Sequence, residues 1–201
     1  MKKCFVQFAE NSETYTDICI HTYTDICFRK SLVKYLGQSD ARGLWGIKHT
    51  RKPVDLMVAA AKALPPGQIL PIVKLTVTVD GVHLETVNNI SKRDEFEHMS
   101  VFFNIESISY GVQDLVYTRV FSMIIVKDNP DVKGLNPFEC HAFVCESRNA
   151  ARRLTYSLAA AFQDYSRRVK EMQANNGKYI DIAIFCLVIS AEDILTLVLS
   201  K

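Results

Sequence analysis

No run of this 201-residue chain is apolar for the roughly 20 residues that a membrane-crossing helix needs. The longest is the 8-residue Ile182–Ile189 stretch, and Asp181, Glu192 and Asp193 flank it. An acidic pair within a longer span would cost about 2.5–3.5 kcal/mol per residue, so a strand or helix docking on a domain is expected there. The N-terminus, MKKCFVQFAENSE, breaks its apolar run at Gln7 and Glu10 and lacks the apolar stretch of a secretory signal, which leads to the expectation of a cytosolic protein. Charge of one sign is also lacking: 24 Lys and Arg against 22 Asp and Glu leave +2, too little for a chain that neutralises many phosphates by bulk charge. There is no GxSxG, no HExxH and no glycine loop of the phosphate-cradling kind. The sequence therefore offers no catalytic residue, no metal site and no cofactor, and an enzyme is not expected. None of the six cysteines stands in a CxxC pair. Without a secretory signal, free thiols are the expectation over disulfides. Cys140 and Cys145 bracket His141, but an alternating strand over 139–146 sends residues 140 and 145 to opposite faces, which defeats a shared metal site.

What is present is 48% apolar residues, enough for one domain with a core. Residues 1–28 carry two copies of Tyr-Thr-Asp-Ile-Cys, at 15–19 and 23–27, too few for a repeat array and read as an appendage. Leu32–Leu36 reads as a strand stopping at Gly37. Val54, Met57, Val58, Ala61 and Leu64 form one helical stripe that starts after Pro53 and ends at Pro65-Pro66-Gly67. Residues 71–79 alternate and lead through Asp80-Gly81, a strong hairpin signal, into 82–84. Strands are readable at 105–110, 116–126 and 139–146, and Asn136-Pro137-Phe138 is read as a turn. Ser147 is an N-cap candidate for a helix whose apolar positions keep 3–4 spacing until Asn175-Asn176-Gly177. Strands that follow one another through short turns predict an α+β domain with a mainly antiparallel sheet and a final helix against it.

Six segments occur in a significant order: 32–37, 74–82, 105–110, 120–124, 138–143 and 158–163. Together they resemble the phosphotyrosine-binding (PTB) domain of the Disabled and lipoprotein-receptor-adaptor kind. The resemblance runs over residues 31–174 and divides the chain into an appendage at 1–28, a domain at 29–175 and an apolar tail at 176–201. It implies a pleckstrin-homology-like barrel of two near-orthogonal antiparallel sheets with a C-terminal capping helix. It also implies an adaptor at the cytoplasmic side of membranes that binds Asn-Pro-x-Tyr-like peptides of receptor tails by adding the peptide as a strand. The receiving edge implied is Ile105 to Gly111, through Ser107, Ile108, Ser109 and Tyr110, and the facing wall is Leu158, Phe162 and Tyr165. On an alternating strand Ser107, Ser109 and Gly111 share a face and are small enough to admit a second backbone. Phe162 is the anchor expected, against the plainer reading of a core aromatic.

Ser107 stands where receptor-adaptor relatives often carry arginine, and a phosphate dianion needs guanidinium forks. Phosphotyrosine is therefore not expected to be required. Basic residues elsewhere support a different partner class. Lys48, Arg51 and Lys52 sit just before the first helix and Lys34 lies on the first strand, while Arg148, Arg152, Arg153, Arg167, Arg168 and Lys170 outnumber the lone acid Asp164 over 148–170. The alternative function is a phosphoinositide-binding module held at membranes through Lys34, Lys48, Arg51 and Lys52, each basic residue being worth about 1 kcal/mol near an anionic surface. For the tail, residues 180–189 are expected to compete with peptide for the receiving edge.

Overall fold

The computed structural model describes residues 29–87, 100–127 and 136–176. The appendage at 1–28 and the tail beyond Asn176 lie outside the described residues, and so does the expected competition by 180–189. In chain order the elements are β1 (Arg29–Asp40), α1 (Ile47–Lys62), β2 (Ile72–Thr78), β3 (Gly81–Thr86), β4 (Ser100–Asn104), β5 (Ile108–Gln113), β6 (Val120–Val126), β7 (Phe138–Val144) and α2 (Arg148–Asn176). A 3₁₀ turn, Ile105–Ser107, joins β4 to β5.

All pairings are antiparallel, in the order β4-β3-β2-β1-β7-β6-β5. β1 belongs to both halves: Arg29 to Lys34 pair with β2, and Lys34 to Asp40 pair with β7. The strand does not stop at Gly37, as expected from sequence. Gly37, at φ +112°, follows a bulge at Leu36, and a bulge of this kind lets one strand turn from one partner to the next. The sheet curls until Phe103 of β4 lies edge-on to His141 of β7, centroids 4.9 Å apart, although three strands separate them in the pairing order. Among the described residues β4 and β5 do not pair, so this is the expected pleckstrin-homology-like fold left open at one seam.

The curl has two apolar faces. Inside it, Val33, Leu75, Leu84, Phe121 and Phe143 pack with Leu154, Leu158 and Phe162 of α2, which covers the open end. Outside it, Tyr110, Val112, Ile124, Cys140 and Ala142 pack beneath Val54, Met57 and Val58 of α1. Cys140 and Cys145 thus sit in separate cores as free thiols, and burial pushes them up to about 12 and about 11.

Several boundaries differ from the sequence reading. α1 begins at Ile47, ahead of Pro53, which lies inside the helix. A proline there withholds one backbone bond, to the carbonyl of His49, and burial of Pro53, Val54, Met57 and Val58 against the sheet offsets it. The hairpin turn is Val79-Asp80, closed by the Thr78 and Gly81 pair, one residue earlier than Asp80-Gly81 suggests. Gly81 serves a close approach: at φ +150°, a Cβ there would stand 2.1 Å from the Phe103 carbonyl oxygen. β4 was not legible, because Val101, Phe102 and Phe103 do not alternate. β6 starts at Val120, since 115–119 form a turn. The cap and the short turn agree with expectation: Ala150 N–H donates to Ser147 Oγ (3.1 Å), and Phe138 N–H donates to Asn136 Oδ1 (3.2 Å).

Candidate functional site

β5 is a terminal strand, and its one partner among the described strands is β6. Asp114 N–H donates to the Val120 carbonyl at 2.8 Å, so the alternation of an antiparallel ladder turns the backbone groups of Gly111 and Gln113 away from β6. α2 runs beside that edge and is fastened to it at both ends. Gln113 Nε2 donates to the Arg148 carbonyl (3.1 Å) at the start of α2, and Tyr165 hydroxyl donates to Glu106 Oε1 (2.7 Å) seventeen residues further on. Between these clasps the strand and helix touch most closely at Gly111, where a Cβ would lie 2.3 Å from Leu158 Cδ2. Strand edge and helix are thereby held side by side, with outward backbone groups on the strand and the helix next to them.

The residues expected at this edge divide. Ile105 and Ser107 belong to the 3₁₀ turn and not to the strand, because Asn104 caps that turn: its Oδ1 accepts from Glu106 N–H at 3.2 Å and its carbonyl from Ser107 Oγ at 2.8 Å. Ser107, Ser109 and Gly111 do not share a face. The register slips between Ile108 and Tyr110, and the bulged Ser109 points its hydroxyl to the Leu44 carbonyl at 2.6 Å, while Gly111 faces Leu158. Ile108 packs its side chain into the inner core and Tyr110 into the outer one, and the alternation that turns Gly111 outward turns the backbone of Tyr110 toward β6. Leu158 and Phe162 are 1% and 2% exposed and fill the inner core. Phe162 is therefore a core aromatic as the chain stands, and Tyr165, partly buried against the same core, is the least buried of the three wall residues.

Among the basic residues, Lys34, Lys48 and Lys52 are exposed. Arg51 is not available in the same way: it pairs with Asp55 and donates to both Asp114 oxygens, at 2.9 and 3.2 Å. In α2, Arg167 pairs with Asp164, and Arg168 reaches Asp80 (2.9 Å) and the Val79 carbonyl (2.7 Å) on the β2–β3 turn. Part of the basic stripe thus ties α2 to the sheet. The clasps through Gln113 and Glu106 were missed from sequence. Nothing local marks a glutamine as a partner for a carbonyl 35 residues away.

An open antiparallel curl, capped by a C-terminal helix that lies along an edge strand, is the architecture of the pleckstrin-homology-like class. The model of the phosphotyrosine interaction domain (PTB/PID) family matches residues 67–172, more than half of the chain, and the protein belongs to that family. It is similar to low density lipoprotein receptor adapter protein 1-B of Xenopus laevis, 28% identical over 151 residues that cover 72% of this chain and 44% of the relative. Low density lipoprotein receptor adapter protein 1 of Homo sapiens is 30% identical over 131 residues, 65% of this chain and 38% of that protein. The chain therefore matches less than half the length of these relatives. Among solved structures, the C-terminal phosphotyrosine interaction domain of mouse APBB2 is 24% identical, with a TM-score of 0.47 over 67% of this chain and 85% of that one.

Proposed function

We propose that the protein is an adaptor whose domain binds Asn-Pro-x-Tyr-like segments of receptor cytoplasmic tails by strand addition along β5, without requiring phosphotyrosine. The observation that carries this reading is the unpaired edge: Gly111 and Gln113 turn their backbone groups away from β6, toward the groove beside α2. In such an arrangement main-chain hydrogen bonds supply affinity and the helix supplies side-chain discrimination. Membership of a family whose relatives here are named as receptor adapters supports the partner class. Location at the cytoplasmic face of a membrane follows from that partner.

The test separates backbone from side chain. Gln113→Ala and Gln113→Pro both remove the clasp to Arg148, but only proline removes the outward N–H, a change that an edge position tolerates. Calorimetric titration with an unphosphorylated Asn-Pro-x-Tyr peptide should show Gln113→Pro binding at least tenfold more weakly than Gln113→Ala, equivalent to about 1.4 kcal/mol. Equal affinities would reject strand addition at this edge. A second reading, phosphoinositide binding, draws on Lys48 and Lys52, exposed one turn apart on α1, and on Lys34. It predicts steep salt dependence, which a neutral peptide lacks.

A further inference from the structure

On the outer face of the curl, away from the β5 groove, α1, β1, β7 and the β5–β6 turn enclose an open cleft of about 440 Å³. That volume lies within the roughly 300–1,000 Å³ of ordinary ligand sites. Leu36, Val58, Ala61, Leu70, Val120 and Val144 make its floor and walls. Val116, on the turn, lines it while 66% exposed, and its sequence neighbour Leu115 is 53% exposed.

The turn side of the cleft is already set. Asp114, 4% exposed, accepts from the backbone N–H of Val116 (2.8 Å) and Tyr117 (2.7 Å), and Arg51 holds its carboxylate. Tyr117, another wall residue, has the Arg51 guanidinium 5.0 Å and the Lys62 ammonium 5.7 Å from its ring centre. A wall that needs no ordering on binding lowers the entropic cost of association.

The charged residues that line the cleft have one sign. Lys62 and Arg119 are lining residues, Arg119 being anchored by its Nε to the Cys145 carbonyl at 3.1 Å, and none of the lining residues is acidic. Lys34, exposed, is the cross-strand partner of Val144 in the cleft wall. The cations stand around apolar walls and do not converge on one point, so a phosphate headgroup would leave Val58, Leu36 and Val144 uncovered. An occupant must bring aliphatic groups for the walls and carboxylates for the margin. We propose that this cleft is a second docking site, for an acidic peptide segment that inserts aliphatic side chains between α1 and the β5–β6 turn while its carboxylates meet Lys62, Arg119 and Lys34.

The probe is a fluorescein-labelled 16-residue peptide with leucines at helical i, i+4 spacing and glutamates on either side, titrated against the full chain by fluorescence anisotropy. Saturable binding is expected, weakened at least tenfold by Val116→Asp, by Lys62→Glu, and by replacing the peptide's leucines with alanine or its glutamates with lysine. Both protein variants alter exposed side chains, and thermal melts read by circular dichroism should match the parent; if Val116→Asp fails to fold, Lys62→Glu decides. An excess of unlabelled Asn-Pro-x-Tyr peptide should leave this binding unchanged, which separates the cleft from the β5 edge. Absence of saturable binding, equal binding by Lys62→Glu, or displacement of the probe by the Asn-Pro-x-Tyr peptide would overturn the proposal. So would capture by phosphoinositide vesicles, weakened by Lys62→Glu, with no binding of the peptide.

Discussion

His141 lies inside the curl with its Nδ1 2.9 Å from the Tyr35 hydroxyl and its Nε2 3.9 Å from Glu139, without a hydrogen-bond partner among the described residues. Burial opposes the charged imidazolium more than Glu139 favours it, and the pKa falls from 6.5 to about 4. A lowered histidine pKa means that the unfolded chain binds more protons between these values, so stability is full above pH 6.5 and declines as pH falls toward 4. The expected loss is up to about 3 kcal/mol, at 1.36 kcal/mol per unit. Urea unfolding at pH 7.5 and 4.5 should show a smaller difference between the two pH values in His141→Gln than in the parent. Phe162 teaches a second lesson at this scale. At 2% exposure it should cost about 3–5 kcal/mol when replaced by alanine, so loss of peptide binding in that variant would report on folding as much as on the groove. Gly81→Ala should also destabilise, because its Cβ would meet the Phe103 carbonyl and φ +150° disfavours any side chain; a lowered midpoint in thermal melts checks this.

Among the elements, β5 shows how far pattern reading reaches. The Ile-x-Ser-Ile-x-Tyr pattern correctly marks a strand near residue 108, but two local events displace it. Asn104 captures the preceding residues in a 3₁₀ turn, and the bulge at Ser109 reverses the alternation on which the shared small face depended. The turn after β5 depends on Asp114, whose buried carboxylate serves Arg51 and two backbone N–H groups. Asp114→Ala leaves two backbone N–H groups without their acceptor and Arg51 with Asp55 alone, and should lower stability by about 1–3 kcal/mol, with a matching shift in the urea midpoint. It should also weaken the acidic-peptide probe, since the cleft loses its fixed wall.

For the whole molecule, α2 decides what the open seam becomes. The helix packs on β5, β2, β6 and β1, filling the inner core while leaving β5 without a second partner among the described strands. Arg168 to Asp80, Tyr165 to Glu106 and Gln113 to Arg148 fix it at three points. With Arg51 committed to carboxylates and no arginine on β5, phosphorylated and unphosphorylated Asn-Pro-x-Tyr peptides should bind within about tenfold, or 1.4 kcal/mol. Paired titrations check this, and a hundredfold preference for phosphotyrosine would contradict it.

The sequence by itself determined the order of elements, the class and the family resemblance. Period-two apolar runs at 72–78, 3–4 spacing across 148–172 and the Ser147 cap are local signals, and burial of one face needs nothing more than that spacing. It also settled that Cys140 and Cys145 part company, because strand alternation is a property of the backbone. Only the tertiary structure decided which strand ends the sheet, that Phe162 goes to the core, that Arg51 is engaged by Asp114 and that a cleft opens beneath the end of α1. Each of these depends on partners tens of residues apart, and no local spacing encodes which of two equally amphipathic surfaces another element will cover.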